Sequence, residues 1–263
     1  MKIAALVLAG SLALGTGRAE ALDVAALTDR NELVLFDSAN PAATSMVAVQ
    51  GTAARLLGID LRPADLTLYG LDAAGGIYRI EPRTGMSEKV STLSVPLEVS
   101  DSAAVDFNPQ ADRLRVIGPA GQSLRVNVDT GETAVDGRIA YAEGDANAGK
   151  KSPLITAAAY LNSVVGATQT QLFDFDSGHG FYAIQDPPNA GTLNSIAPLG
   201  LPAGSRVDAA DIHTDKSMTV YTSFAVVANR LYSFAVANGR MAEIGPIAAG
   251  TRKIVDIAVV SPP

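Results

Sequence analysis

The sequence predicts an all-β fold: a five-bladed β-propeller closed by pairing of its C-terminal strand with its N-terminal blade. Three observations predict it. A strand–turn–strand unit recurs at intervals of about fifty residues, an extra strand motif precedes most copies, and the last such motif stands alone near the C-terminus. An open β-solenoid or two β-sandwiches would also give many short strands. Neither alternative explains why the two ends of the chain complement each other.

The recurring unit is a β-hairpin. Each copy has an apolar strand, a tight polar turn and a second strand, and a turn with glycine or Asn-Gly follows most copies. The five copies begin near residues 24, 68, 114, 172 and 220. Four short strands and their turns fit within one repeat, so each repeat is interpreted as one blade.

The extra strand motif is apolar and carries an aspartate in most copies. Its copies cover residues 58–63, 104–109, 158–162, 209–213 and 254–258. The last copy has no hairpin after it, and the first hairpin has no such strand before it. We therefore expect residues 254–260 to form the inner strand of the blade built from residues 24–49, and residues 22–263 to form a single propeller domain.

Residues 1–21 have the pattern of a bacterial secretory signal peptide. Lys2 is followed by an apolar run from Ile3 to Leu14, and Ala19-Glu20-Ala21 is a small-x-small cleavage site. The run is too short to span a bilayer, and no later segment reaches spanning length. Cysteine is absent, so packing alone would hold the fold in an oxidising compartment. We expect a periplasmic or secreted protein, cleaved after Ala21.

Composition narrows the class of partner. The net charge is −7, which argues against nucleic acid, whose phosphates are bound by Lys and Arg. Tryptophan is absent and aromatic residues make up 5% of the chain, so a platform for stacking sugars or bases is not expected.

Three further motifs resemble one family. They are Asp-Phe-Asn-Pro-x-x-Asp-Arg-Leu-Arg-Val at residues 106–116, Arg-Pro-Ala-Asp at 62–65, and Gln-Asp-Pro-Pro-Asn-Ala-Gly-Thr-Leu at 185–193. Together they resemble the bacterial domain of unknown function 4394. The resemblance implies an exported, propeller-like domain. It implies no activity, so it assigns no catalytic residue.

The candidate site lies on the strands predicted to line the central channel. Strand alternation places one acidic residue of each motif on the face opposite the apolar side chains. These residues are Asp60, Asp106, Asp211 and Asp256, with Tyr160 in the fifth place. A second polar layer, two residues further along, contains Arg62, Asn108, Asn162 and His213, with Ala258 in the remaining place. Arg113 and Arg115 alternate on a neighbouring strand.

Four acidic side chains at one level of a narrow channel need compensation, because like charges destabilise one another there. A divalent cation, for which calcium is the candidate, could bind Asp60, Asp106, Asp211 and Asp256. The acids could instead accept hydrogen bonds from neighbouring backbone or from Arg55, Arg113 or Arg115. A polar channel that binds a small ligand is a third reading. Arg113 and Arg115 could either pair with Asp106 or Asp112, or hold an anionic ligand at the channel mouth.

No catalytic signature is present. The chain lacks a Gly-x-Ser-x-Gly elbow, a His-Glu-x-x-His motif and a phosphate-binding glycine loop, and of its two histidines His179 is expected to be exposed in a turn. We expect an exported, non-catalytic binding or scaffold protein for an unknown protein, polymer or small ligand. The alternative is a calcium-dependent hydrolase or lactonase in the channel, with His213 or an aspartate as base. A purely structural module is a third hypothesis.

Overall fold

A computed structural model describes residues 21–98, 101–118 and 120–261. The predicted signal peptide, residues 1–21, lies outside the described residues except for Ala21. The described residues form five sheets, each built on four antiparallel strands, and the predicted five-bladed β-propeller is confirmed. No helix among them is long and apolar enough to cross a membrane.

The first blade joins the two ends of the chain, as predicted. Its strands, from the channel outwards, are β21 (Ile254–Val259), β1 (Asp23–Thr28), β2 (Glu32–Asp37) and β3 (Thr44–Ala48). Strand β21 pairs antiparallel with β1, with Val259 opposite Val24 and Ile257 opposite Ala26. The C-terminal strand therefore supplies the inner strand that the first hairpin lacks.

The other blades follow one another along the chain. Blade two contains β4 (Leu56–Arg62), β5 (Thr67–Asp72), β6 (Gly76–Ile80) and β7 (Ser87–Thr92). Blade three contains β8 (Ala104–Asn108), β9 (Arg113–Ile117), β10 (Ser123–Val126) and β11 (Thr133–Val135). Blade four contains β13 (Ile155–Tyr160), β14 (Leu172–Asp176), β15 (Phe181–Gln185) and β16 (Thr192–Pro198), and β12 (Ala140–Tyr141) adds a short parallel edge. Blade five contains β17 (Ala209–Thr214), β18 (Tyr221–Val227), β19 (Arg230–Phe234) and β20 (Met241–Pro246).

Apolar side chains fill the seams between adjacent blades. Tyr69 of blade two packs edge-on against Phe107 of blade three, with their ring centroids 5.5 Å apart. Between blades five and one, Phe224 and Ile257 belong to one buried cluster with Val24. This burial is the main stabilising term for a chain without disulfides.

Three of the five inner strands contain a register shift near their start. The shifts lie between Leu56 and Gly58 in β4, between Ile155 and Ala157 in β13, and where Leu27 and Thr28 pair with β21. A β-bulge adds one residue to one strand of a pair. Equivalent positions in different blades must therefore be taken from the strand pairing, since the sequence motif alone does not give them.

Candidate functional site

Three buried aspartates converge at the centre of the propeller. Asp60, Asp106 and Asp211 lie on the inner strands of blades two, three and five, and each offers a carboxylate oxygen within 4.8 Å of the others. All three side chains are buried. Here we call Asp60, Asp106 and Asp211 the acidic trio.

Each member of the trio reaches across to the next blade. Its carboxylate accepts a hydrogen bond from a backbone N–H on the open edge of the neighbouring inner strand. The pairs are Asp60 Oδ2 with Phe107 N at 2.6 Å, Asp106 Oδ1 with Tyr160 N at 3.1 Å, and Asp211 Oδ2 with Val259 N at 2.6 Å. An inner strand has no sheet partner on its channel side, so these carboxylates satisfy buried donors that would otherwise be unpaired.

The strand pairing corrects the prediction for Tyr160. Tyr160 pairs with Leu172, as Phe107 pairs with Leu114, whereas Ala159 pairs with Phe173. Ala159 therefore occupies the place of the aspartate in blade four, and Tyr160 packs in the seam with blade three. The error has a physical cause: every side chain of β13 is buried, so no alternation of apolar and polar residues marks its register.

Asp256 lies closer to the start of its inner strand than the acidic trio does, by two residues. Each trio carboxylate bonds the N–H group one residue beyond its own level in the next blade. The Oδ2 of Asp256 accepts a hydrogen bond of 2.9 Å from Ile59 N, so Asp256 is level with Gly58 and not with Asp60. A Cβ atom on Gly58 would lie 2.7 Å from that oxygen, so glycine makes room for the carboxylate. In the first blade, Ala258 takes the place that the trio holds elsewhere.

Burial raises the pKa of these carboxyl groups. The pKa of Asp211 is raised to about 6 by desolvation. Desolvation and the neighbouring carboxylates raise the pKa of Asp60, Asp106 and Asp256 well above the ordinary value, although backbone N–H donors oppose the shift. The cluster can therefore hold protons near neutral pH, or bind a cation that replaces them.

Two residues of the predicted second polar layer hold turns and blades together. Arg62 makes ion pairs with Asp112 at 2.6 Å and Asp129 at 3.0 Å, which join blades two and three. Asn108 accepts hydrogen bonds from the backbone N–H groups of Gln110 and Ala111 in its own turn. Both side chains are thus engaged within the protein.

The two neighbouring arginines also act within the fold. Arg113 donates to the carbonyl oxygens of Ala111 and Asp112 in the turn before it. Arg115 is fully buried between blades three and four, where it contacts Asp136 at 2.5 Å and Asn189 at 2.9 Å. Neither arginine has a hydrogen bond to a carboxylate of the acidic trio among the described residues. The predicted pairing with Asp106 is therefore not seen, and Arg115 pairs with Asp136 instead.

Asn162 and His213 lie at the end of the channel where the inner strands finish, which we call the narrow mouth. Asn162 is left-handed (φ 61°) and accepts a hydrogen bond of 3.0 Å from the Tyr221 hydroxyl. His213 lines a cavity of about 20 Å³ together with Asp60 and Asp211. Such a cavity holds about one water molecule.

The other histidine differs from its prediction. His179 is mostly buried, and its Nδ1 lies 2.6 Å from Asp176 Oδ2. Asp176 also accepts a hydrogen bond from the Tyr141 hydroxyl at 2.8 Å. The predicted exposed turn is therefore a packed corner of blade four.

The opposite end of the channel is much wider. A cavity of about 330 Å³ opens where the inner strands begin, and we call it the wide mouth. Three basic side chains line it: Arg55, Arg206 and Lys253. Each lies in the segment just before an inner strand: Arg55 before β4, Arg206 before β17 and Lys253 before β21. Three aspartates, Asp29, Asp101 and Asp208, line the same cavity.

A buried carboxylate holds two of these bases. Asp208 lies 3.3 Å from Arg206 Nε and 3.2 Å from Lys253 Nζ, and its side chain is 6% exposed. Arg206 also donates to Ser102 Oγ at 2.9 Å, and Arg55 donates to the Asp101 carbonyl at 2.7 Å. Strand alternation does not indicate Arg206, Lys253 and Asp208, because these residues lie before the inner strands begin. The available signal was a basic residue within the three residues before three of the five inner-strand motifs.

These features define a class: a five-bladed β-propeller with a channel closed by carboxylates and a charged cup at its wide mouth. Residues 32–258 match the family described as Domain of unknown function (DUF4394). The chain belongs to that family. A search of the curated proteins finds no match.

Solved structures are similar to this chain at low sequence identity. A protein of unknown function from Bacteroides thetaiotaomicron VPI-5482 has a TM-score of 0.53 at 12% identity, covering 94% of this chain and 67% of that one. A chain of a nidogen/laminin complex has a TM-score of 0.49 at 10% identity, covering 92% of this chain and 98% of that one. An auxiliary nutrient binding protein from the same Bacteroides strain has a TM-score of 0.44 at 12% identity, covering 76% and 55%. Of these three, the first has a TM-score above 0.5, and at 12% identity it bears on the fold alone.

Proposed function

We propose that this protein is an exported, non-catalytic binding protein whose ligand enters the wide mouth. One observation carries the proposal: a cavity of about 330 Å³ is lined by three basic and three acidic side chains where the inner strands begin. That volume is within the range of small-molecule sites. Export is supported by the signal-peptide pattern of residues 1–21.

The remainder of the channel supports the same choice. The cavity at the narrow mouth, about 20 Å³, is too small for an organic ligand. The trio carboxylates are engaged with backbone N–H groups, and Arg62, Asn108, Arg113 and Arg115 are engaged with other parts of the protein. The wide mouth thus combines volume with charged groups that border solvent.

Ligand capture tests this function. The purified protein is incubated with the small-molecule fraction of a bacterial envelope extract, and retained compounds are identified by mass spectrometry. We expect a retained compound that is lost in Arg55→Gln and in a Lys253→Met variant but kept in Lys89→Met, which changes an exposed lysine of strand β7. Equal retention by all four proteins, or no retained compound, would refute a wide-mouth site.

A calcium-dependent hydrolase or lactonase is a second candidate, favoured by the spacing of the acidic trio. Oxygen atoms within 4.8 Å of one another can share a cation with ligand distances of about 2.4 Å. His213 lines the cavity at the narrow mouth together with Asp60 and Asp211, and it would be the base. This candidate requires a calcium-dependent rise in the thermal midpoint and lactone hydrolysis that is lost in Asp106→Asn.

A further inference from the structure

We propose that the seam between blades three and four holds a buried proton, shared between the carboxyl group of Asp174 and the amide oxygen of Gln185, and that this proton makes the seam responsive to pH. The inference is independent of the wide mouth and concerns a part of the fold that the proposed function does not use. It starts from three buried oxygen atoms that have no hydrogen-bond partner among the described residues: Asp174 Oδ1, Asp174 Oδ2 and Gln185 Oε1.

Asp174 is an acid without a donor. Its side chain is fully buried on β14, and neither carboxylate oxygen accepts a hydrogen bond from a residue that the structure describes. Asp176, two residues further along the same face, accepts from Leu154 N at 2.9 Å on one oxygen and from the Tyr141 hydroxyl at 2.8 Å on the other. An ionised carboxylate buried without donors is strongly destabilising, so Asp174 needs a proton or a donor.

The strand register places Gln185 beside Asp174. Asp174 pairs with Ala183 of β15, and Gln185 is two residues further along β15 on the same face. Diagonal neighbours of this kind have Cα atoms about 7–8 Å apart, a distance that an aspartate and a glutamine side chain can span together. Ala183 and Leu172, the partner of Gln185 on β14, both belong to the buried cluster that faces blade three. The two polar side chains therefore lie in that seam.

The orientation of the Gln185 amide is fixed by its other end. Nε2 donates to the Pro188 carbonyl oxygen at 2.5 Å, and a reversed amide would bring two oxygen atoms together there. Oε1 therefore remains an acceptor. Two neighbouring acceptors are both satisfied by a single O–H group, so a proton on Asp174 supplies the hydrogen bond that both side chains lack.

Nearby positive charge does not replace the proton. Arg115 of β9 lies in the same seam, but it is ion-paired with Asp136 and donates to Asn189 at 2.9 Å. Desolvation raises the pKa of Asp174 to about 8, an effect larger than the attraction of Arg115, which lowers it. The other titratable groups on the elements around Asp174 are Arg125 on β10, Tyr141 on β12, Tyr160 on β13, Asp176 on β14, His179 in the turn after β14, and Tyr182 on β15.

Loss of the proton leaves a charge in the seam. The folded pKa of Asp174 lies above its unfolded value of about 3.9, so the folded state binds one more proton between the two values. The stabilisation is present at low pH and is lost as pH rises through the folded value. The contact between blades three and four is therefore tightest while Asp174 is neutral.

Carboxyl NMR of protein labelled at the aspartate carboxyl carbon tests the inference. The Asp174 signal is assigned through its bonded Cβ protons, so this measurement needs no variant. We expect the signal to stay at the protonated position at pH 6 and to move to the ionised position with a midpoint of about 8. A signal at the ionised position at pH 6 would overturn the inference, because water or another donor would then hold the carboxylate.

Two variants test the hydrogen bond and the seam. Gln185→Met removes the amide oxygen at similar side-chain length, so the titration midpoint of Asp174 should fall by about one pH unit. Asp174→Asn keeps a donor toward Gln185 but does not titrate, so between pH 5 and pH 8 its thermal midpoint should fall less than that of the wild type, by about 2 °C or more. Asp101→Asn changes a fully exposed aspartate and should keep the wild-type profile. An unchanged titration midpoint in Gln185→Met, or equal thermal profiles in the wild type and Asp174→Asn, would also overturn the inference.

Discussion

The Oδ2 atom of Asp60 accepts a hydrogen bond of 2.6 Å from the backbone N–H of Phe107, which belongs to the next blade. The same carboxylate accepts a bond of 2.7 Å from Leu61 N through its other oxygen. Asp60 thus joins two inner strands that share no β-sheet hydrogen bonds. Asp106, Asp211 and Asp256 make the same kind of connection, so these residues close the ring as well as the channel.

The buried acids make stability depend on pH in a definite direction. Their folded pKa values are raised, to about 6 for Asp211, above an unfolded value of about 3.9. The folded state therefore binds more protons, and the stabilisation is present at low pH and lost as pH rises through the folded values. We expect the thermal midpoint to fall by about 2 °C or more between pH 5 and pH 8.

Asp211→Asn is the control for this prediction, because an amide does not titrate and keeps one acceptor oxygen. The variant should show a flatter profile over the same range. The paired acids with lowered pKa values, Glu32 and Asp112, are ionised in both states above pH 5 and do not disturb the measurement. A midpoint that rises from pH 5 to pH 8 would contradict the assignment.

Calcium should have little effect on stability if the acids serve mainly as strand connectors. The trio oxygens already accept backbone hydrogen bonds at 2.6 to 3.1 Å. We expect the same thermal midpoint in millimolar calcium and in chelator at pH 7. A rise with calcium that is abolished in Asp106→Asn would instead support the calcium-dependent enzyme.

Gly58→Ala should destabilise the ring. The added Cβ would lie 2.7 Å from Asp256 Oδ2 and 2.4 Å from Val105 Cγ2. Overpacking of this kind costs about 1–3 kcal/mol. Urea unfolding measures the change, and Gly118→Ala is the matched control because its new Cβ would have its nearest contact at 3.6 Å. Equal stability of the two variants would show that Asp256 does not need the glycine.

Sequence reasoning found the blade count and ring closure because both depend on which strand motifs lack a partner. It also placed Asp60, Asp106 and Asp211 correctly on inner strands. It misjudged the level of Tyr160 because every side chain of β13 is buried, so alternation does not mark the register of that strand. It misjudged the level of Asp256 because residues two apart share a strand face, so the face alone does not fix the level. It missed the wide mouth because Arg206 and Lys253 lie in connecting segments, where no periodic pattern marks them.

A strained turn at the narrow mouth provides a further test. Leu66 is left-handed, with φ 55°, and is 49% exposed. At the corresponding turn position of blade three, Asp112 has φ 48°, and aspartate tolerates this conformation better than leucine does. We expect Leu66→Asn to stabilise the protein by about 1 kcal/mol in urea unfolding. Leu66→Ala should bring no such gain, and an equal gain in both would attribute the effect to lost apolar exposure.

Hydrogen exchange at single backbone amides tests the connection between blades most directly. In the wild-type protein, the amides of Phe107 and Val259 should be protected although each lies on an open strand edge. In Asp60→Ala, the Phe107 amide should exchange about tenfold faster or more, while the Val259 amide, bound by Asp211, keeps its protection. Unchanged exchange at Phe107, or an equal loss at both amides, would contradict the role assigned to these carboxylates.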